Sequence, residues 1–113
     1  MTQPTIPLTA DVRKSYEELY ATNETAIEGT EDEVLLPKLN ATQLAIGAVL
    51  SADNKCRLDS DTATFGDLLK KIDSTNKGLE KLKKDISEVT DGIKRFGDVV
   101  VGIDKVLTLI PAI

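Results

Sequence analysis

The sequence has no histidine, no tryptophan and one cysteine, Cys56. Without histidine the chain lacks the usual general base and the commonest metal ligand, and one cysteine excludes an intrachain disulfide. We therefore predict no enzyme, no catalytic residues, no metal site and no cofactor. Aromatic residues make up only 4 % of the chain, so its apolar content is chiefly Leu, Ile, Val and Ala. That mixture favours packing between helices over a β-sandwich and predicts an all-α protein.

Excess positive charge is also missing, since the formal net charge is −5 and the pI is about 4.7. An acidic chain binds phosphate backbones poorly, so nucleic acid is not an expected partner. Residues 1–63 carry eleven acidic and five basic side chains, whereas residues 64–113 carry eight and nine. The acidic N-terminal part raises one functional hypothesis, that of a chaperone or inhibitor of a basic protein.

A secretory signal and a membrane-spanning run are absent as well. The first twelve residues, MTQPTIPLTADV, have neither a basic start nor an apolar core. The most apolar stretch, residues 99–113, is shorter than the roughly 20 residues that a spanning helix needs. We expect a cytoplasmic protein of one domain, residues 1–113, with an extended lead-in at residues 1–8.

The first helix is predicted at residues 9–28. Thr9 can cap its N-terminus, apolar residues recur there at steps of three and four, and Gly29 is a natural end. The second helix is predicted at residues 31–57, opened by a capping box in which Thr30 and Glu33 satisfy each other's backbone donors. Pro37 leaves two possibilities: a short turn with the main helix beginning at Pro37, which we favour, or a kinked helix.

The second helix has two apolar faces. A helix that is apolar on more than one side usually lies between neighbours, and an alanine-rich face allows helix axes to approach closely. One face consists of Leu35, Leu39, Ile46 and Val49, and the other of Ala41, Leu44, Ala45, Ala48 and Ala52.

The third predicted helix, residues 64–110, has a heptad repeat beginning at Phe65, in which Thr75 is the only seam position that is not strongly apolar. We predict that most of this repeat forms an interaction seam, made of Leu79, Leu82, Ile86, Val89, Ile93, Phe96, Val100, Ile103, Leu107 and Ile110.

The predicted length of the third helix is about 70 Å, which exceeds the roughly 35 Å diameter of a compact domain of this size. It can break near Gly92 to give a four-helix bundle, lie beside the first two helices placed end to end, or pair with a copy of itself. Because the apolar phase crosses Gly92 unchanged, we favour a continuous helix and a homodimer, parallel or antiparallel. Gly78, Gly92 and Gly97 flank the seam, where we expect a neighbouring backbone to approach.

Three other features receive ordinary explanations. The spacing of Asp59 and Asp61 resembles the start of an EF-hand calcium loop. That loop, however, needs glycine at the position of Thr64 and glutamate at the position of Lys70. Cys56 has no histidine to activate it and is interpreted as a bystander. The basic side chains of the third helix lie off the seam and are interpreted as a solvated face; they are Lys70, Lys71, Lys77, Lys81, Lys83 and Lys84.

The sequence therefore favours a non-enzymatic module, a helical bundle or coiled coil that oligomerises or presents a helix face to a protein partner. Two alternatives remain open. One is a membrane-acting protein that uses residues 99–113, and the other is the acidic chaperone or inhibitor.

Overall fold

The computed structural model describes residues 8–59, 62–89 and 91–109. Within these ranges the chain forms four long helices and one single helical turn: α1 (Ala10–Gly29), α2 (Leu35–Leu58), α3 (Thr62–Glu88), α4 (Gly92–Arg95) and α5 (Gly97–Leu109). The all-α fold class is confirmed. Most of the predicted lead-in lies outside the described ranges, and so does Ile110, which is both a seam residue and the last residue of the predicted third helix.

The four long helices form a bundle in which each helix packs against two neighbours. The order around the bundle is α1, α2, α3 and α5, with α5 closing against α1. Short connections make successive helices antiparallel, so that Lys38 near the start of α2 pairs with Asp85 near the end of α3. The bundle measures 45 × 27 × 19 Å.

The start of α1 follows the predicted cap, whereas the start of α2 does not. The Thr9 hydroxyl accepts a hydrogen bond from the Val12 amide at 3.4 Å. At α2 the predicted capping box of Thr30 and Glu33 is wrong, because Asp32 Oδ1 accepts from the Val34 and Leu35 amides at 2.9 and 3.0 Å. The side chain of Asp32 lies at the turn itself, so α2 begins at Leu35 and Pro37 falls in its first turn, where no amide donor is needed.

The expected continuity of the third helix across Gly92 is also wrong, and the alternative of a break into a four-helix bundle is correct. α3 ends at Glu88, and Asp91 adopts a left-handed conformation with φ 58° and ψ 17°. A β-carbon on Gly92 would lie 1.9 Å from the Ile86 carbonyl oxygen, so only glycine fits this reversal. The amides of Val89 and Gly92 donate to the carbonyls of Ile86 and Val89, which gives the end of α3 hydrogen-bond partners.

The break shifts the buried face by one residue. In α3 the buried positions follow the predicted repeat, from Leu68 and Ile72 to Ile86. Beyond the break, Val99 and Val106 are fully buried in place of Val100 and Leu107, which are half-buried. The reversal at Asp91 changes the rotational phase of the chain, so the repeat extrapolated along one rod still identifies Phe96 and Ile103 as buried but misplaces the other buried positions by one residue.

Candidate functional site

The predicted interaction seam is largely used inside the chain. Phe96 and Ile103 are buried together with the α3 part of the seam, Leu79, Leu82 and Ile86. Three further members, Val89, Val100 and Leu107, are half-buried against that core. Ile93, at the break, is 52 % exposed. The structure therefore places most of the seam in the core of one bundle, and any docking surface has to be sought elsewhere.

The second apolar face of α2 is the surface that the bundle leaves open. The expectation that α2 is sandwiched on both faces is wrong for one chain: Ala52 is buried, Ala45 and Ala48 are half-buried, and Ala41 is exposed. Leu44, in the middle of this face, is 77 % exposed. Because α2 contacts only α1 and α3, nothing in the described part of the chain covers its outer side.

A groove of about 220 Å³ runs beside this face, between α2 and α3. Small side chains make the walls of the groove shallow. A β-carbon added to Gly78 would have no atom within 4 Å, so the predicted close approach of a neighbouring backbone at this position is wrong. Gly97, for which the same approach was expected, is equally open. The groove is lined by Lys38, Ala41, Thr42, Ala45, Ser74, Thr75, Gly78, Lys81, Leu82 and Asp85.

Polar atoms at the groove are largely satisfied within the chain. The Thr75 hydroxyl donates to the Ala45 carbonyl at 3.4 Å, which explains a threonine at a seam position. The Thr42 hydroxyl donates to the Lys38 carbonyl, and the Lys38 ammonium lies 3.0 Å from Asp85. The groove thus offers mainly apolar surface, flanked by the Lys38–Asp85 pair and by Lys81, which suits an apolar side chain better than a charged ligand.

The charge of α2 is unusually low for an exposed helix. From Leu39 to Ala52 the sequence contains no Asp, Glu, Lys or Arg. The only charged residue earlier in the helix is Lys38, which is neutralised by Asp85. A solvated helix face normally carries charges, so this open, uncharged stretch is the feature most typical of an interface.

A second groove, of about 460 Å³, lies between α1 and the start of α5. Its lining includes Arg95 and Asp98 and three threonines, and the Arg95 guanidinium lies 5.2 Å from the centre of the Phe96 ring. Arg95 is also 4.0 Å from Asp32. The threonine hydroxyls and the Arg95 guanidinium make the surface of this groove more polar than that of the α2–α3 groove, so it is a poorer match for an apolar helix.

At the other end of the bundle, sequence reasoning missed a buried carboxylate. Asp53 Oδ1 accepts from the Leu8 amide at 2.7 Å, and Oδ2 accepts from Arg13 Nη1 at 2.5 Å and Arg57 Nε at 2.9 Å. Burial acts to raise the pKa of Asp53, but the hydrogen bonds from Arg57, Leu8 and Arg13 outweigh it and lower the pKa. All these partners are internal, so the cluster joins the segment before α1 and α1 itself to the end of α2 rather than forming a site.

Further hydrogen-bonded polar side chains lie in the core. The Tyr16 hydroxyl donates to Asn76 Oδ1 at 2.7 Å, and burial raises the Tyr16 pKa despite this bond. Asn23 donates to the Leu39 carbonyl and to Gln43, both at 2.9 Å. Asn23 and Asp53 occupy periodic positions within apolar stripes. That placement could have indicated buried hydrogen bonds from the sequence, because polar residues at core positions are normally hydrogen-bonded.

The remaining sequence features agree with ordinary structural explanations. Cys56 is buried and is not in a disulfide. Among the basic side chains of α3, Lys71 pairs with Asp67, Lys77 with Asp73, and Lys83 with Asp104 of α5. Across the described ranges, no group of three or more His, Cys, Asp or Glu side chains could hold a metal ion, and no helix is both long and apolar enough to cross a membrane.

No protein-family model matches this chain, and no curated protein and no solved structure shows significant similarity to it.

Proposed function

We propose that this protein is a non-enzymatic interaction module whose docking surface is the open face of α2 together with the α2–α3 groove. For brevity we call this surface the α2 face. Its residues are Asn40, Ala41, Leu44, Ala45, Ala48 and Ser51 on α2 and Ser74, Gly78 and Lys81 on α3.

The observation that carries the proposal is an apolar, uncharged helix face with an exposed leucine at its centre. Leu44 is 77 % exposed in a stretch of α2 that has no charged residue between Lys38 and Asp53. Removing an apolar side chain from water yields about 25 cal/mol per Å², so covering the apolar part of this face is favourable, and residues 39–52 of α2 carry no ion that would lose its hydration. The partner that fits is the apolar stripe of another helix laid along the groove.

The membrane-acting alternative receives less support from the geometry. The valines that widen the apolar stripe of residues 99–113 include Val99 and Val106, and both are buried in the bundle. Val101, at 68 % exposure, is the main aliphatic side chain of this segment that α5 presents to solvent. The chaperone or inhibitor alternative has no specific contact in its favour, because the acidic side chains of α1 include Glu17 and Glu18, which pair with Arg13, Lys14 and Lys105.

Capture of proteins from the native source tests the proposal when the wild-type full chain is compared with two variants. Leu44→Glu places a charge at the centre of the α2 face, where exposure leaves the fold intact. Val101→Glu is the matched control, because it puts the same charge at an equally exposed aliphatic position on α5, the helix diagonally opposite α2.

We expect the wild-type chain and Val101→Glu to capture the same proteins, further copies of this chain included, and Leu44→Glu to lose them. If all three chains capture the same set, the α2 face is not the docking surface and the proposal is wrong.

A further inference from the structure

We propose that the α2 face binds a second copy of this chain, with the two α2 helices antiparallel and Leu44 of each helix inserted into the small-residue surface of the other. This inference rests on the proposed function, since it names the occupant of the same surface.

The shape of the α2 face is complementary to itself. Ala41, Leu44, Ala45 and Ala48 are spaced i, i+3, i+4 and i+7, which is the four-residue hole that receives a knob in helix packing. Three of the four are alanines, so the hole is shallow and allows the two helix axes to approach closely. Leu44 is the large apolar side chain of the face, 77 % exposed, and also a member of the hole, so a two-fold axis near Leu44 places each knob in the partner's hole.

The electrostatics of the face also favour a copy of this chain. With a net charge of −5, two copies repel each other over most approaches. The α2 part of this face contributes no such repulsion, because residues 39–52 are uncharged and Lys38 is paired with Asp85 at 3.0 Å. The other charge on the face is the ammonium of Lys81 on α3, so two acidic chains can meet here without opposing unpaired carboxylates.

The position of Lys38 decides the orientation. Although Lys38 is paired with Asp85, in a parallel pair this ion pair would lie against its own copy and would lose hydration. In an antiparallel pair centred on Leu44, the two Lys38 residues are separated by twelve residues of helix, roughly 18 Å, which is beyond the Debye length at physiological salt. The same geometry places Ser51 about 21 Å from its copy, whereas the two Leu44 residues meet at the axis.

Sedimentation equilibrium of the full chain at concentrations up to about 1 mM tests the association. The contact is short, so we expect a weak dimer with a dissociation constant on the order of 100 µM. Leu44→Glu should raise that constant at least tenfold with an unchanged helical circular dichroism spectrum, and Val101→Glu should leave it unchanged. A wild-type chain that stays monomeric at 1 mM, or a Leu44→Glu chain that dimerises as well as wild type, overturns the inference.

Disulfide formation tests the orientation in chains that also carry Cys56→Ala. Leu44→Cys should form a disulfide-linked dimer under mild oxidation, and Ser51→Cys should not. Equal cross-linking at both positions would indicate a parallel pair and contradict the antiparallel arrangement.

The two proposals fail separately. A monomeric chain whose capture of native proteins still depends on Leu44 refutes the self-association but supports the docking surface.

Discussion

At the scale of single residues, Asp53 connects three parts of the chain. Its carboxylate accepts hydrogen bonds from the segment before α1, from α1 itself through Arg13, and from Arg57 one turn further along α2. Arg57 in turn donates to the Leu8 carbonyl. Both the amide and the carbonyl of Leu8, in the segment before α1, are therefore hydrogen-bonded to side chains of α2. Because the Asp53 side chain has no exposed surface, its charge depends on these donors for the solvation that water would supply.

We predict that Asp53→Asn lowers the free energy of unfolding by about 2–3 kcal/mol at neutral pH. The amide cannot accept from all three donors as an anion does, although both arginines can turn towards solvent, which limits the loss. Because the folded-state pKa of Asp53 is lowered, its stabilisation is complete above the unfolded-state pKa and is lost as the pH falls through the folded-state pKa.

Urea denaturation of both chains between pH 2 and pH 8, approximate limits chosen to bracket the carboxylate range, measures this effect. The difference between wild type and variant should be constant above about pH 5 and should shrink in more acidic solution. Asp67→Asn, which removes an exposed partner of Lys71, is the control and should change stability little. A gap that persists at the lowest pH would contradict the role of the Asp53 charge.

Gly92 is the second residue of interest at this scale, because its position has no room for a side chain. An added β-carbon would lie 1.9 Å from the Ile86 carbonyl oxygen, and backbone atoms cannot move aside as a flexible side chain can. We predict that Gly92→Ala destabilises the bundle by about 2–4 kcal/mol, because the turn between α3 and α4 must open.

Gly66→Ala is the matched control, since no atom lies within 4 Å of its β-carbon position in α3. Alanine there should leave stability unchanged or raise it by up to about 1 kcal/mol. Thermal unfolding followed by circular dichroism distinguishes the two variants, and equal stability for both would show that the chain does not reverse tightly at Gly92.

At the scale of the helices, the sequence identified the helices but not the direction that the chain takes after α3. Apolar spacing located α1, α2 and α3 because each buries a stripe at helical period. The same spacing could not reveal the reversal at Asp91, because one aliphatic repeat is compatible with a straight rod and with two antiparallel arms. The decisive feature is the close contact of Gly92 with the Ile86 carbonyl, which depends on tertiary position rather than on pattern.

The same limit applies to the candidate site. The alanine-rich second face of α2 was visible as a pattern, and it was expected to be covered by a neighbour. Whether that neighbour belongs to the same chain depends on how α3 and α5 pack. Once they form antiparallel arms, α2 has α1 and α3 beside it and nothing outside, so Leu44 is exposed.

The break also separates two isoleucines that were equivalent in the heptad repeat. Ile86 is fully buried, whereas Ile93 is 52 % exposed. We predict that Ile86→Asp unfolds the chain or costs at least about 4 kcal/mol, because a carboxylate would enter the core without a partner.

Ile93→Asp should cost no more than about 1 kcal/mol, since its side chain can reach water. Chemical denaturation of the two variants measures the difference. Similar losses at both positions would instead favour one continuous helix with a shared seam.

At the scale of the whole molecule, the described part of the bundle leaves the uncharged stretch of α2, residues 39–52, open on its outer side. α1 and α3 have ion pairs along their exposed faces, such as Arg13 with Glu17 and Lys71 with Asp67. α5 contributes Asp104 and Lys105 to pairs with Lys83 and Glu18. Only the outer side of α2 lacks such pairs among the described residues, and it lies diagonally opposite α5.

The central claim is that the chain meets its partners through the α2 face, because the aliphatic repeat of the C-terminal part is used inside the bundle. Amide chemical shifts recorded by NMR at about 50 µM and about 1 mM test it most directly, since they show which residues change their surroundings on association. We predict concentration-dependent shifts confined to residues 38–51 of α2 and to the groove side of α3 around Gly78 and Lys81. Shifts concentrated at Ile93 and along α5, with α2 unchanged, would contradict the account.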